Sequence, residues 1–394
     1  MKLPMSVLRD LSGKPFRFNL KNTNNIKSSK AVLAHSKSEA SKYDLDLKGS
    51  ILSDDSLDTS DKETFEISNL LPAISILEKY NFKYEVMPEE LVKNSGLFFQ
   101  DKCMNAFFQC YPEYLCIDIL CEIADLEYDL CLFISVDANG HSEIIAIGLI
   151  KSYNSQGLMW LCEVFRKHNP SWRKIQFIMS GKNIDCTETV KKAFPEKLVF
   201  ISLFHSLKAF KRDLSDLEKV STHDISEALR LFEHMVYTNT ELEYSDLAKQ
   251  MKQLHPSVVM QFRKIWHPKS DSWALGLLFN SKAILKSLNS FLLFIRNKVR
   301  PHVINQVSIT SIIKAFHSAL RKLREDRFKK FASVFYSVPT LFCGKSNACI
   351  KYSKYLTQYA SELVNEQLNL LDDVKNLKRI SPGNSKPAFA SFLC

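Results

Sequence analysis

The sequence predicts an α/β fold built on a five-stranded mixed sheet, with flanking helices and a helical insertion or extension. Three observations support this prediction. Apolar runs of strand length occur at "YLCIDIL" (114–120) and "LCLFISV" (130–136), and "SEIIAIGLI" (142–150) follows the second run after the turn sequence "DANG" (137–140). Strand and helix patterns then alternate to residue 204. Beyond it, helical patterns continue to about residue 335, punctuated by Pro256 and Pro268.

The alternating part begins with "SQGLMWLCEVFRKH" (155–168), which places Leu158, Leu161 and Phe165 on one helical face. The elements that follow are a strand, a helix and a strand: "KIQFIMS" (174–180), a helix around "TETVKKAF" (187–194), and "KLVFISLF" (197–204). The order is therefore three strands, helix, strand, helix, strand. Short turns make the first strands antiparallel, and crossover helices make the later ones parallel.

Composition sets the expected domain boundaries. Residues 1–65 are polar, and we expect most of them to be disordered because they offer too little apolar surface to offset the entropy of ordering. A lead-in segment at 66–110 precedes the main domain at 111–345, which carries a helical insertion at about 210–275. An amphipathic C-terminal helix is expected at 346–380, before a flexible tail at 381–394.

The candidate C-terminal helix has apolar residues near heptad spacing, and two arrangements are open for it. The residues are Leu356, Ala360, Leu363, Leu370 and Val374, with Gln367 breaking the row. Two and a half heptads are few for a coiled coil, so we favour packing onto the domain.

Charge and cysteine usage bound the class of protein. The 394 residues carry a formal net charge of +10, which is compatible with a polyanionic partner without requiring one. The ten cysteines contain no Cys-x-x-Cys pair, so we expect free thiols in a reducing compartment. Neither a secretory signal nor a membrane span is predicted. The apolar stretch at 273–295 is interrupted by Lys282 and Lys286, and we interpret it as a buried helix.

The predicted order of elements is that of the ribonuclease H-like fold. Within that fold, five stretches resemble the transposase-derived domain of SWIM-type zinc finger proteins, which is related to Mutator-like element transposases. The stretches span 97–120, 133–150, 159–180, 193–214 and 279–292, and the resemblance covers about residues 95–375. It implies an ancestral site in which several carboxylates held two divalent ions for phosphoryl transfer.

The resemblance assigns the site positions one at a time. The first acid falls on Asp118, in "CIDIL". The alternative is that Asp118 is an ordinary polar residue of this strand and not a retained site residue. The second acid falls on Gly181 and is absent. The late-helix acid falls on Lys286, which has the opposite charge; an offset would not restore it, because no Asp or Glu occurs from Ser272 to Pro301.

The resemblance also implies a motif after the fifth strand and a SWIM zinc finger, and neither is intact in this sequence. A motif after the fifth strand keeps His205 but has Ser202 where a cysteine is usual, and we expect a structural histidine there. Asp185 lies near the start of a predicted helix, where a capping or dipole role explains it better than rescue of the second acid. Cys343, Cys349 and Cys394 lack the spacing of a SWIM finger, so we expect the core domain without that finger.

With one carboxylate left, we expect no divalent cofactor and no enzymatic activity. The expected function is that of a domesticated, inactive transposase relative acting as a nuclear nucleic-acid- or protein-binding scaffold. The alternative is an active Mg²⁺-dependent nuclease or transposase with rearranged acids. A purely protein–protein module is a third possibility.

Basic residues with interleaved phenylalanines suggest where nucleic acid would bind, through non-specific backbone contacts. The candidates are Lys208, Lys211, Arg212, Arg296, Lys298 and Arg300. The basic stretch 321–330 contains Glu325 and Asp326 and is equally well read as a solvated helical face. Kinship implies a nuclear location, with the cytoplasm as the alternative, and no membrane partner. The oligomeric state is left open.

Overall fold

A computed structural model describes residues 71–88, 96–120, 128–151, 154–181, 184–217, 220–279, 282–303, 306, 308–336, 356–365 and 368. The chain divides into two units, Met1–Phe65 and Glu66–Cys394. The first unit lies outside the described residues, and so do the predicted tail and Cys343, Cys349 and Cys394.

A seven-stranded mixed sheet forms the centre of the second unit. Its strands are β1 (Lys83–Val86), β2 (Gly96–Gln100), β3 (Tyr114–Leu120), β4 (Tyr128–Val136), β5 (Ser142–Lys151), β6 (Phe177–Ser180) and β7 (Leu198–Ile201). They are arranged in the order β1-β2-β5-β4-β3-β6-β7. The five predicted strands are β3 to β7, and their arrangement is the predicted mixed one.

The sheet changes from antiparallel to parallel pairing at β3. On one side, β3 pairs antiparallel with β4, with Asp118 opposite Leu132. On the other side it pairs parallel with β6, with Ile117 opposite Ser180, and β6 pairs parallel with β7. The α/β ribonuclease H-like prediction is thus confirmed. The number of strands differs, because β1 and β2 extend the sheet beyond β5.

Helices cover both faces of the sheet. Helical residues 71–79 form α1. The helices after it are α2 (Lys102–Cys110), α3 (Ser155–His168), α4 (Ile184–Ala193), α5 (Leu203–Ser215), α6 (Thr222–Tyr237), α7 (Glu241–Met251), α8 (Pro256–Gln261), α9 (Leu275–Phe279), α10 (Lys282–Val303) and α11 (Ile309–Tyr336). Residues 358–365 are also helical and form α12.

The buried residues form two hydrophobic clusters. Side chains that alternate along β3 show the division, since Cys116 and Leu120 belong to one cluster and Leu115, Ile117 and Ile119 to the other. The first cluster includes residues of α5 to α11, and the second is built largely with α3 and α4. Strands buried on both faces need apolar residues at nearly every position, which explains their unbroken apolar sequences.

The apolar stretch 273–295 differs from the single buried helix predicted for it. It contains the short helix α9 and the first part of α10. A Cβ on Gly276 would lie 2.1 Å from the carbonyl oxygen of Thr238, so this glycine lets α9 approach the end of α6. In the described part of the chain, no helix combines the length and the apolar sequence needed to cross a bilayer.

Candidate functional site at the sheet switch point

Asp118 lies on β3, the strand at which the pairing changes direction. Its side chain is completely buried, and its position in the alternation along β3 places it on the same face as Cys116 and Leu120. Helix α10 packs on this face. A carboxylate without solvent access requires a positive partner or hydrogen-bond donors, since burial of an isolated charge is costly.

Arg296 on α10 supplies that positive partner. Its Nη1 donates a hydrogen bond to Asp118 Oδ1 over 2.6 Å. The guanidinium also lies over the ring of Phe204, 5.1 Å from its centroid, and the Arg296 side chain is 14 % exposed. The carboxylate is therefore neutralised by a guanidinium from the chain itself.

His205 completes the cluster from the first turn of α5. Ser202 caps this helix by accepting a hydrogen bond from the His205 amide, and its Oγ also lies 2.7 Å from His205 Nδ1. These two contacts orient the ring. His205 Nε2 then lies 3.2 Å from Asp118 Oδ1 and 2.9 Å from Arg296 Nη1. His205 is 3 % exposed, so the three groups form one buried polar cluster.

Gly181 follows β6 directly and lies against this cluster. Its amide donates to the carbonyl oxygen of Ile117 over 2.7 Å, which continues the parallel pairing of β6 with β3. A Cβ at this position would lie 2.8 Å from Asp118 Oδ1 and 2.9 Å from His205 Cε1. Such distances are shorter than real Cβ contacts, so Asp118 and His205 fill the space that a side chain at 181 would need.

Oδ2 of Asp118 is buried and has no hydrogen-bond partner among the described residues. The surroundings disfavour further negative charge. Burial raises the pKa of the Cys116 thiol well above its ordinary value, and the nearby Asp118 carboxylate raises it further. The site therefore holds the Asp118 carboxyl group, paired with Arg296, beside a thiol whose protonated form is favoured by burial.

The side chains present do not fit a pair of divalent ions. Two metal ions need several carboxylates, whereas Asp118 is already engaged by Arg296 and His205. In the part of the chain that the structure describes, no group of three or more His, Cys, Asp or Glu side chains is arranged to hold a metal. Asp185 is exposed on α4, which packs mainly against α3.

Four of the positions assigned from sequence meet in this cluster: Asp118, Gly181, Ser202 and His205. Lys286 lies ten residues before Arg296 on α10, about 15 Å along the helix axis, and its side chain is outside the described set. The α10 residue that contacts Asp118 is Arg296, which the sequence had placed in a phosphate-binding patch. Its role in the site was missed because a sequence match does not show which helical turn faces the strand.

The other candidate nucleic-acid contacts lie on the surface. Lys208, Lys211 and Arg212 are exposed at spacings that place them on one side of α5. Lys298 and Arg300 are exposed on α10. The ring of Phe294, 38 % exposed, has the Lys298 and Lys330 ammonium groups 5.9 and 5.3 Å from its centroid.

A second ionic cluster, which the sequence did not reveal, joins α11 to the sheet. Arg324 donates to both carboxylate oxygens of Asp101 over 2.7 and 3.1 Å, and its Nε donates to Glu143 over 3.2 Å. Arg327 Nη1 lies 3.0 Å from the other Glu143 oxygen. Half-buried arginines in the basic stretch 321–330 are thus already paired with carboxylates.

Comparison with known proteins agrees with this fold. Residues 81–200 match the family model described as zinc finger SWIM domain-containing protein 1/3, RNaseH-like domain. The matched range contains β3, β6, Asp118 and Gly181, and ends before Ser202, His205 and Arg296. A comparison with curated proteins found no match. Residues 81–200, less than a third of the chain, are therefore similar to the ribonuclease H-like domain of SWIM-type zinc finger proteins.

Proposed function

We propose that this protein is a catalytically inactive relative of Mutator-like transposases that acts as a nuclear binding or scaffold module for nucleic acid or proteins. The observation that carries the proposal is the buried ion pair between Asp118 and Arg296, with His205 beside it. It supports loss of chemistry, because the remaining carboxylate is already neutralised by the chain itself.

Electrostatics explain why this arrangement opposes metal-dependent catalysis. A divalent ion about 5 Å from the Arg296 guanidinium would be repelled by several kcal/mol even at an effective dielectric constant near 20. No second carboxylate is available at Gly181 to offset that repulsion. An ion could bind Asp118 only after Arg296 had moved away and left its own charge in a largely buried place.

A nuclease assay on the full chain tests the absence of chemistry. Labelled single- and double-stranded DNA is incubated with Mg²⁺ or Mn²⁺ and either the wild-type protein or Asp118→Ala. We expect the same background cleavage from both proteins. Cleavage that requires the metal and is lost in Asp118→Ala would establish the alternative, an active enzyme with rearranged acids.

The binding part of the proposal rests on surface charge. The exposed cations on α5 are suited to phosphate contacts, and Phe294 between Lys298 and Lys330 combines a ring with positive charge, as nucleic-acid surfaces often do. Nuclear location is proposed from family kinship alone. A protein-only partner is the competing possibility.

Salt-dependent DNA binding separates these possibilities. The variant Lys211→Glu/Arg212→Glu should weaken binding and lower the slope of log K against log salt by about 2, one unit for each lost phosphate contact. The matched control is Lys174→Glu/Lys192→Glu, which changes the net charge equally at two exposed lysines elsewhere. If both variants weaken DNA binding equally, or if the wild-type protein does not bind DNA, protein binding is left as the function.

A further inference from the structure

A groove combines apolar and positive side chains. It lies in the helical region that follows β7 and precedes α10 along the sequence. Its volume is about 530 Å³, within the range of natural ligand sites. The apolar part of its lining consists of Leu254, Pro256, Val259 and Met260. Met260 is 64 % exposed, so the groove presents a large apolar side chain to solvent.

Three cations complete the lining: Lys252, Arg263 and Lys264. All three are exposed, and none of them forms an ion pair with another described residue. None of the described residues that line the groove is acidic. Its charge is therefore uncompensated within the described chain, in contrast to Arg324, which is fully engaged with Asp101 and Glu143.

The backbone fixes this arrangement. Residues Phe262–Trp266 form a π-helical turn, in which the His267 amide donates to the Phe262 carbonyl. The turn keeps Phe262 and Trp266 buried, while Arg263 and Lys264 are exposed side by side. Trp266 is anchored further by its Nε1, which donates to Asp213 over 3.1 Å. Such π-helical turns are rare in proteins. Those that do occur are frequently found at functional sites.

We propose that this groove binds an acidic amphipathic segment of a partner protein, with the partner's apolar side chains against Met260 and Val259 and its carboxylates against the three cations. A peptide fits the observations better than nucleic acid does, because a phosphate backbone would gain nothing from the exposed methionine. The proposal is independent of the Asp118 cluster and of DNA binding through α5.

Fluorescence polarisation with the full chain tests the proposal. The probe is a labelled synthetic helix-forming peptide with Leu and Phe at i, i+4 spacing and Asp and Glu elsewhere. We expect saturable binding that Met260→Asp weakens by about tenfold or more, as for a central apolar contact. Arg263→Glu/Lys264→Glu should abolish binding at physiological salt. Leu242→Asp is the control, because Leu242 is 73 % exposed on α7 and does not line the groove.

Three outcomes would overturn the proposal. One is no binding of the acidic peptide, and another is equal loss with Met260→Asp and Leu242→Asp. The third is that a single-stranded oligonucleotide of the same charge competes fully, with an affinity that Met260→Asp leaves unchanged. Such a result would make the groove a general polyanion surface. None of these results depends on the nuclease assay or on Lys211 and Arg212, so this proposal and the proposed function fail separately.

Discussion

Arg296 is the residue on which the polar cluster around Asp118 depends most. Replacing it by methionine keeps most of its apolar stem but leaves a completely buried carboxylate without its positive partner. We expect Arg296→Met to lower the free energy of unfolding by about 3–5 kcal/mol. Urea denaturation followed by circular dichroism measures this change.

The double variant Asp118→Asn/Arg296→Met should recover part of the loss, because an uncharged amide costs less to bury than an unpaired carboxylate. Arg230→Met provides the control: Arg230 pairs with Glu227 on the surface, where such pairs contribute about 0–1 kcal/mol. Equal destabilisation by Arg296→Met and Arg230→Met would contradict a buried, structural ion pair.

Gly181 is expected to tolerate no side chain while Asp118 and His205 keep their positions. The alanine Cβ would approach Asp118 Oδ1 to 2.8 Å, so Gly181→Ala should cost about 1–3 kcal/mol through overpacking. In the Asp118→Ala background the contacting oxygen is gone, and the same substitution should cost clearly less. Thermal unfolding of the four proteins measures the coupling, and additive effects would show that the site is not crowded there.

Helix α11 is held at the sheet by charge as well as by apolar packing. Arg324 is 15 % exposed and contacts Asp101, the residue that caps α2, and Glu143 at the start of β5. Burial by itself lowers the pKa of Arg324, but the carboxylates of Asp101 and Glu143 outweigh it and raise the pKa above its ordinary value. One arginine thus links three elements that are distant in sequence.

Arg324→Met should therefore destabilise the protein by about 3 kcal/mol or more, because the largely buried Asp101 carboxylate loses its guanidinium partner and Glu143 is left with Arg327. Hydrogen exchange should become faster in α11 and in the first turn of α2. Arg321→Met is the matched control on the same helix, since Arg321 pairs with Glu325 in solvent and should change stability by less than about 1 kcal/mol. If hydrogen exchange in α2 is as slow in Arg324→Met as in the wild type, Arg324 does not link α11 to α2.

Across the whole molecule, burial protects the thiols of the central layers. Burial raises the pKa of Cys116, Cys131 and Cys162 well above the ordinary value, so at neutral pH these thiols are protonated and unreactive. Cys103 is exposed at the surface of α2. We expect N-ethylmaleimide to label Cys103 in the native protein, and the three buried thiols only after unfolding in urea.

Site-resolved mass spectrometry after timed labelling measures this difference. Labelling should also become faster as pH rises, because only the thiolate reacts. Native-state labelling of Cys131 at the rate of Cys103 would mean that the sheet opens readily, contrary to its burial between two helical layers.

Local patterns predicted much of this fold for a physical reason. The strand runs at β3, β4 and β5 and the helix α3 were found at nearly their observed bounds, because an element buried between layers needs an unbroken apolar run or a regular apolar face. The edge strand β1 was missed because it has four residues, none of them buried, and "KYEV" carries little apolar signal. Strand β2 is wholly buried but was assigned to the lead-in segment, since its pairing with β5 is not visible from local sequence.

The sequence by itself determined the order of strands and helices from β3 to β7, because this order follows from local residue types along continuous segments. The acid at Asp118 and its absence at Gly181 were implied by the family resemblance. Tertiary structure decided what surrounds Asp118. Arg296 is 178 residues away along the chain. Its contact with the carboxylate depends on which turn of α10 packs over β3, and that is set by the packing of many side chains together. Tertiary packing likewise decides the contacts of Arg324. It also forms the groove beside the π-helical turn, because the charged residues of the groove come from separate segments of the chain.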